Sequence, residues 1–202
     1  MELIGMLDSP YVRRTAISLR LLGIPFTHRN WSVFRNFDEF RRVNPLVKAP
    51  TLVLDDGTLL TESSLIIDWA QSISSNAPLM PDDAAQRLRA TRLIGIAIAA
   101  SEKSVQIVYE HKRDEDKRDA GWLHRVQGQL RSAYDLLERE VDGANGWLFG
   151  NTPTQADVSI AVAWGFTQIV AADVIDAEAY PNLARFARQA EQHPDFAALP
   201  PV

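Results

Sequence analysis

The chain of 202 residues contains no cysteine, and this absence removes several kinds of chemistry at once. Disulfide bridges, thiolate metal ligands, Cys-X-X-Cys redox exchange and cysteine nucleophiles are all excluded. The four histidines are far apart in the sequence and give no metal-ligand spacing. We therefore expect no metal site, and no thiol chemistry that depends on a cysteine of this chain.

An excess of positive charge is also absent, because 21 lysines and arginines face 26 aspartates and glutamates, for a formal net charge of -5. The chain thus lacks the basic surface that nucleic acids and anionic membranes attract. No apolar run reaches the roughly 18 residues of a membrane span, and the first eight residues lack the basic start of a signal peptide. Neither common glycine-rich phosphate-binding pattern occurs. We expect a cytoplasmic protein whose partners are small molecules or other proteins.

Short strands and helices alternate at the start of the chain. Residues 2–7 form an apolar run that is typical of a buried strand. Asp8-Ser9-Pro10 then predicts a helix start, since Ser or Asp can cap a helix and Pro suits its first turn. Gly23 predicts the end of this helix, and residues 26–31 are long enough for a second strand.

The next segment carries a hairpin between two helices. Residues 37–43 predict a short helix that stops before Asn44-Pro45, because a residue preceding proline is pushed out of the helical region. Two apolar runs flank Asp55-Asp56-Gly57, which is a strong local hairpin signal. Thr61-Glu62-Ser63 opens a further helix, whose inward face we predict as Leu65, Ile66, Trp69, Ala70 and Ile73. The predicted order is βαβαββα.

A polar, proline-bearing segment at residues 74–83 predicts a linker between two domains. Beyond it the apolar residues recur with helical periodicity only, so we assign residues 84–202 to an all-α domain. Residues 158–164 are apolar nearly all round and predict a helix at the centre of that domain. Thr154 and Asp157 have the spacing of a capping box at its start, which is a structural feature.

Two segments of the first domain could bind a ligand, although each also has a purely structural explanation. Pro50 opens a strand, and the residues alone favour a trans bond on an exposed edge. A cis Ala49-Pro50 bond would instead turn the Ala49 backbone outward, free to pair with an extended peptide. Glu62 and Ser63, at a helix N-terminus, could hold the ammonium and carboxylate of an amino acid, or they could only cap the helix.

Ser9 is the candidate catalytic residue. Its hydroxyl, at the N-terminus of the first helix, could donate a hydrogen bond to a ligand thiolate. Lowering a thiol pKa of about 8.5 by about two units requires nearly 3 kcal/mol, which one such bond and a helix terminus could supply. The structural alternative is that Ser9 serves only as the N-cap before Pro10.

Taken together, these segments resemble the glutathione transferase superfamily. Residues 9–13, Ser-Pro-Tyr-Val-Arg, are similar to the S-P-F-V-R start of serine-type members from bacteria and plants. Residues 44–52 are similar to the N-P-x-G-K-V-P-x-L segment, with Val47 in place of the usual glycine and Ala49 in place of valine. Residues 61–63 are similar to the family's E/D-S pattern.

The second domain carries the same resemblance. Leu148-Phe149-Gly150 followed by residues 154–157 is similar to the family's L-x-G and T-x-A-D capping element. Residues 180–196 resemble its final helix pattern. The resemblance implies a thioredoxin-like α/β domain that binds glutathione, residues 1–76, and the all-helical domain of residues 84–202.

The resemblance also implies a role for each candidate residue. The Ala49-Pro50 bond is then cis, with Pro50 structural and the Ala49 backbone paired to the cysteinyl part of glutathione. Glu62 and Ser63 hold the γ-glutamyl end. Lys48 reaches the glycine carboxylate, and Ser9 donates to the sulfur.

The implied activity is the attack of a glutathione thiolate on a small hydrophobic electrophile, with glutathione as co-substrate, in a cytoplasmic detoxifying homodimer. A related glutathione-dependent peroxidase or isomerase reaction is equally open at this point. Because the chain has no cysteine, relatives that reduce disulfides through their own cysteine are disfavoured. The second substrate is expected between the domains, against Tyr11, Phe34, Tyr109 and Trp164, although such aromatics are more often core. The alternative is a non-catalytic module on the same fold that binds glutathione, a hydrophobic ligand or another protein.

Overall fold

The structure is a computed structural model that describes residues 1–201, and its elements confirm the predicted order βαβαββα followed by helices. The four strands are β1 Glu2–Ile4, β2 Thr27–Arg29, β3 Thr51–Val53 and β4 Leu59–Thr61. They form one sheet in the order β2-β1-β3-β4. Strands β1 and β2 are parallel, and the other two pairs are antiparallel.

Three helices complete this part of the chain: α1 Pro10–Leu21, α2 Phe37–Val43 and α3 Ser63–Ile73. Helices α1 and α3 pack against each other. The core consists of fully buried apolar side chains from the central strands and these helices, among them Leu3, Ile4, Val12, Ala16, Ile17, Phe40, Leu52, Ile66 and Ala70. The sheet and its helices thus form the predicted thioredoxin-like arrangement.

The predicted inward face of α3 is wrong at two positions. Leu65 and Ile73 are 66% and 51% exposed, whereas the helix buries Ile66, Ile67 and Ala70. Residues 65, 69 and 73 are spaced by four and share one face, and Ile66 and Ala70 lie on the next face round the helix. Apolar spacing alone could not decide which of these two faces meets α1.

The chain forms two compact units, and the last segment belongs with the first of them. The first unit comprises Met1–Leu79 together with the segment from His193 onward, and the second comprises Met80–Gln192. The expected helical domain of residues 84–202 includes this last segment, so its place in the first unit differs from the expectation. Two arginines of α1 bind it: Arg13 Nε donates to the Leu199 carbonyl at 2.8 Å, and Arg20 pairs with Asp195 at 2.9 Å.

The named elements of the second unit are all helices, as predicted: α4 Ala84–His111, α5 Ala120–Glu140, α6 Gln155–Val170 and α7 Pro181–Glu191, with two short 3₁₀ turns. Helix α6 packs against both α4 and α7, and its first ten residues are all buried, which places it at the centre of the unit. A short helix α8, Pro194–Ala197, lies in the first unit. Within residues 1–201 no helix combines the length and hydropathy of a membrane span.

A buried carboxylate organises the start of α6. Asp157 Oδ2 accepts hydrogen bonds from the Thr154 amide at 2.8 Å and the Thr154 hydroxyl at 2.5 Å. Its Oδ1 accepts from the Leu148 amide at 2.9 Å, so the carboxylate also holds the preceding loop. Burial raises the pKa of Asp157, while these hydrogen bonds act to lower it.

Candidate functional site

Strand register brings three predicted segments to one edge of the sheet. Ile4, the last residue of β1, pairs with Thr51, the first residue of β3. Thr51 in turn pairs with Thr61, the last residue of β4. The turn that leads to Ser9, the Ala49-Pro50 bond and the start of α3 therefore leave the sheet side by side.

Ser9 lies at the N-terminus of the twelve-residue helix α1 and is partly exposed. Its amide donates to the Met6 carbonyl at 3.1 Å, which fixes the turn. Its Oγ accepts from the Val12 amide at a long 3.5 Å, so it caps the helix only weakly. Among residues 1–201 this hydroxyl donates no hydrogen bond, and its hydrogen is available to a ligand at the positive end of the helix.

Gly5 allows the close approach of the elements around this edge. Its φ of 142° favours glycine. A Cβ at this position would lie 2.5 Å from Val12 Cγ2 and 3.0 Å from Ala49 Cβ. The end of β1 therefore contacts both α1 and the Ala49 loop without a side chain between them.

The loop before β3 is held by a small buried network that the sequence analysis missed. Asn44 Nδ2 donates to Thr51 Oγ1 at 2.7 Å, and Thr51 Oγ1 donates to the Lys48 carbonyl at 2.7 Å. The Ala49-Pro50 bond is cis, and it leads into β3, which lies between β1 and β4, so the expectation of a trans bond on an exposed edge is wrong. Within residues 1–201 the Ala49 amide and carbonyl make no hydrogen bond, and the exposed Lys48 ammonium makes no ion pair.

Val47, which stands where the resembling family has glycine, occupies the left-handed region with a φ of 47°. This conformation is costly for a β-branched side chain. The fold therefore needs a left-handed residue here whichever side chain the sequence provides.

We predict that Val47→Gly raises the free energy of unfolding by about 1 kcal/mol, since the conformational gain exceeds the added flexibility of glycine in the unfolded chain. Unfolding in urea measures this change in the free energy of unfolding. The matched control is Val43→Gly at the end of α2, where glycine should lower stability. A loss of stability in both variants would contradict the prediction.

The start of α3 is built around Glu62, whose φ of 73° is unusual for a residue other than glycine. Its Oε2 accepts from the amides of Ser64 at 3.0 Å and Leu65 at 3.2 Å, so Glu62 itself caps the helix. The Ser63 hydroxyl donates to Glu62 Oε1 at 3.3 Å. The two residues predicted to hold an amino-acid head group are thus linked to each other.

A buried arginine that the sequence analysis did not single out lies behind this helix start. Arg14, 4% exposed, donates from Nη1 to the Ser63 hydroxyl at 2.8 Å and to the Ser64 hydroxyl at 3.1 Å. Burial lowers its pKa to about 10, against the opposing effects of Glu62 and Tyr11, so the guanidinium is charged at neutral pH. The only sequence signal is the pair of adjacent arginines, Arg13 and Arg14, in a helix that is otherwise largely apolar.

The four predicted aromatic contacts differ in their surroundings. Tyr11, two residues after Ser9 in sequence, is partly exposed, and Phe34 is 58% exposed in the loop before α2. In the helical unit Tyr109 is 50% exposed on α4, with the Lys112 ammonium 5.8 Å from its ring centroid. Trp164 is buried edge-to-face against Tyr134 and Tyr180, so packing within its own unit accounts for it.

Titratable side chains do not gather into a metal site in the described part of the chain. In residues 1–201 no group of three or more histidines, aspartates or glutamates could hold a metal ion.

Comparison with known proteins covers both parts of the chain. The family model for the N-terminal domain of glutathione S-transferase matches residues 3–78, and the model for its C-terminal domain matches residues 120–189. The maleylacetoacetate isomerase of Pseudomonas aeruginosa is 27% identical over 200 residues, which span 94% of this chain and 90% of the isomerase.

Solved structures agree with the family models. A glutathione S-transferase from Methylobacterium radiotolerans, in complex with glutathione sulfonate, superposes with a TM-score of 0.91 at 30% identity and covers 99% of this chain and 94% of its own. A glutathione transferase family member from Pseudomonas fluorescens Pf-5, with bound glutathione, gives a TM-score of 0.84 at 27% identity and covers 100% of this chain and 98% of its own. This chain therefore belongs to the glutathione S-transferase family.

Proposed function

We propose that this protein is a glutathione transferase, which binds glutathione along the sheet edge described above and uses the Ser9 hydroxyl to stabilise its thiolate. The observation that carries the proposal is the register Ile4–Thr51–Thr61, through which the segments that lead to Ser9, Ala49 and Glu62-Ser63 leave the sheet at one edge. The glutathione sulfonate and glutathione bound in the two solved relatives support this choice of ligand.

The three parts of glutathione have complementary groups along the edge. Glu62 Oε1 and the Ser63 hydroxyl suit the ammonium and carboxylate of the γ-glutamyl end. The Ala49 amide and carbonyl are available to pair with the extended cysteinyl part. The exposed Lys48 ammonium suits the glycine carboxylate.

The chemistry follows from the position of Ser9. Its Oγ–H donates to the sulfur, and the N-terminus of α1 favours the negative charge, so the thiol loses its proton to solvent at a lower pH. The thiolate then forms a C–S bond to the electrophilic carbon, and the leaving group departs with the electron pair of the broken bond. Tyr11 and Phe34 are our candidates for contact with a small hydrophobic electrophile. A role for Tyr109, assembly as a homodimer and a cytoplasmic location stay predictions.

Glutathione affinity and conjugation rate test the proposal together. We expect the purified protein to bind glutathione in a calorimeter and to conjugate it to an activated aryl chloride. Ser63→Ala should weaken glutathione binding roughly tenfold or more, because it removes a hydrogen bond to a charged group. Ser72→Ala, an exposed serine of the same helix, is the matched control and should bind as the wild type does. Absence of glutathione binding would reject the proposal in favour of a protein-interaction module.

A further inference from the structure

The Ser63 hydroxyl has two neighbours with opposite requirements. Arginine can only donate hydrogen bonds, so Ser63 Oγ must accept from Arg14 Nη1 across their 2.8 Å contact. The hydroxyl hydrogen is therefore turned away from Arg14, and in the structure it points to Glu62 Oε1. A ligand carboxylate beside Ser63 can receive this hydrogen when the hydroxyl turns from Glu62 Oε1, while the bond from Arg14 still keeps the hydroxyl a donor to the ligand.

Arg14 is also buried and hydrogen-bonded. The residue is 4% exposed, and Nη1 donates to the hydroxyls of Ser63 and Ser64. Helices α1 and α3 pack against each other, so this contact joins the helix that begins at Ser9 to the helix that begins with Ser63. A positive charge behind a hydroxyl also strengthens that hydroxyl as a donor.

We propose that Arg14 is a positioning residue for the γ-glutamyl carboxylate: it fixes the Ser63 hydroxyl as a hydrogen-bond donor toward that carboxylate, and it does not contact the ligand itself. This inference rests on the proposed function, since it assigns the specificity of the same site. We therefore expect substitution of Arg14 to weaken the binding of ligands that carry the α-carboxylate, and to change the binding of ligands that lack it only slightly.

Two ligands separate this role from general support of the fold. They are glutathione and 4-aminobutyryl-cysteinylglycine, which is the same peptide without the α-carboxylate. We expect Arg14→Met to weaken glutathione binding roughly tenfold and to change binding of the analogue less than about twofold. Arg20→Met, an exposed arginine of the same helix, is the control and should leave both affinities unchanged.

A double-mutant cycle identifies the residue through which Arg14 acts. In a Ser63→Ala background, Arg14→Met should weaken glutathione binding by less than about twofold further, since the hydroxyl it orients is gone. An equal loss of affinity for both ligands, or additive effects of the two substitutions, would overturn the inference and leave the proposed function intact. Failure of the wild type to bind glutathione would overturn both.

Arg14→Lys covers the case in which Arg14→Met does not fold. Lysine keeps the charge but not the planar fork of donors. We expect a partial loss of glutathione affinity and an unchanged affinity for the analogue. An equal loss of affinity for the two ligands would again mean that Arg14 only supports the fold.

Discussion

Replacing Ser9 by alanine should lower kcat/KM for conjugation roughly 10- to 100-fold, because a hydrogen bond to a charged group contributes about 1.5–3 kcal/mol. The hydroxyl donates to no residue in the described part of the chain and is thus available to the glutathione sulfur. The dissociation constant of glutathione should rise only a few-fold at neutral pH, since the peptide is held mainly by other residues and only the thiolate form loses a stabilising bond. Initial rates at varied glutathione concentration, together with calorimetry, separate the two effects.

The control for Ser9→Ala must account for its role as an N-cap. The capping bond to the Val12 amide is long, at 3.5 Å, so its loss should cost about 0.5 kcal/mol or less. Ser75→Ala, at an exposed position in the same unit, provides the matched serine substitution. If Ser9→Ala retained the wild-type kcat/KM, another donor would have to stabilise the thiolate.

Asp157→Ala should lower the free energy of unfolding by about 3–5 kcal/mol, which is among the largest effects of a single substitution. The carboxylate is fully buried and accepts from the Leu148 amide, the Thr154 amide and the Thr154 hydroxyl. Each donor left unsatisfied costs about 1–3 kcal/mol. For a chain of this length the melting temperature should fall by roughly 10 °C.

A second aspartate provides the matched control. Asp176 caps the short 3₁₀ turn Ala177–Ala179 through a 3.0 Å bond from the Glu178 amide, but it is exposed. Asp176→Ala should cost about 1 kcal/mol or less. Equal losses in the two variants would show that burial of the Asp157 network adds nothing. Circular dichroism during urea unfolding measures both.

Local signals predicted most of the secondary structure. The hairpin around Asp55-Asp56-Gly57 forms as expected, and its turn is closed by a bond from the Leu54 amide to the Thr58 carbonyl at 2.9 Å. The helix of residues 37–43 has the predicted bounds, because the proline after Asn44 stops it. These features depend on residues that are neighbours in the sequence, so the sequence alone is enough to predict them.

Features that depend on distant residues could not be predicted in the same way. The buried face of α3 is decided by its packing on α1, so Leu65 and Ile73 were misassigned. The segment from His193 onward joins the first unit through contacts with Arg13 and Arg20, which no local pattern indicates.

In the candidate site, too, local features were predictable and features that depend on distant residues were not. Ser9 and Glu62-Ser63 lie in short motifs that could be found from residue type and helix position. Arg14 acquires its place only because α1 and α3 pack together, and the Asn44–Thr51 bond only because the loop closes on itself. The catalytic and binding roles of these residues stay proposals.

The thiol absorbance of bound glutathione, measured in the ultraviolet as a function of pH, tests whether Ser9 stabilises the thiolate. We expect the wild-type protein to lower the thiol pKa of bound glutathione by about two units from the free value of about 8.5, and Ser9→Ala to return it most of the way. Bound glutathione that titrates as it does in free solution would contradict a thiolate-stabilising role for Ser9.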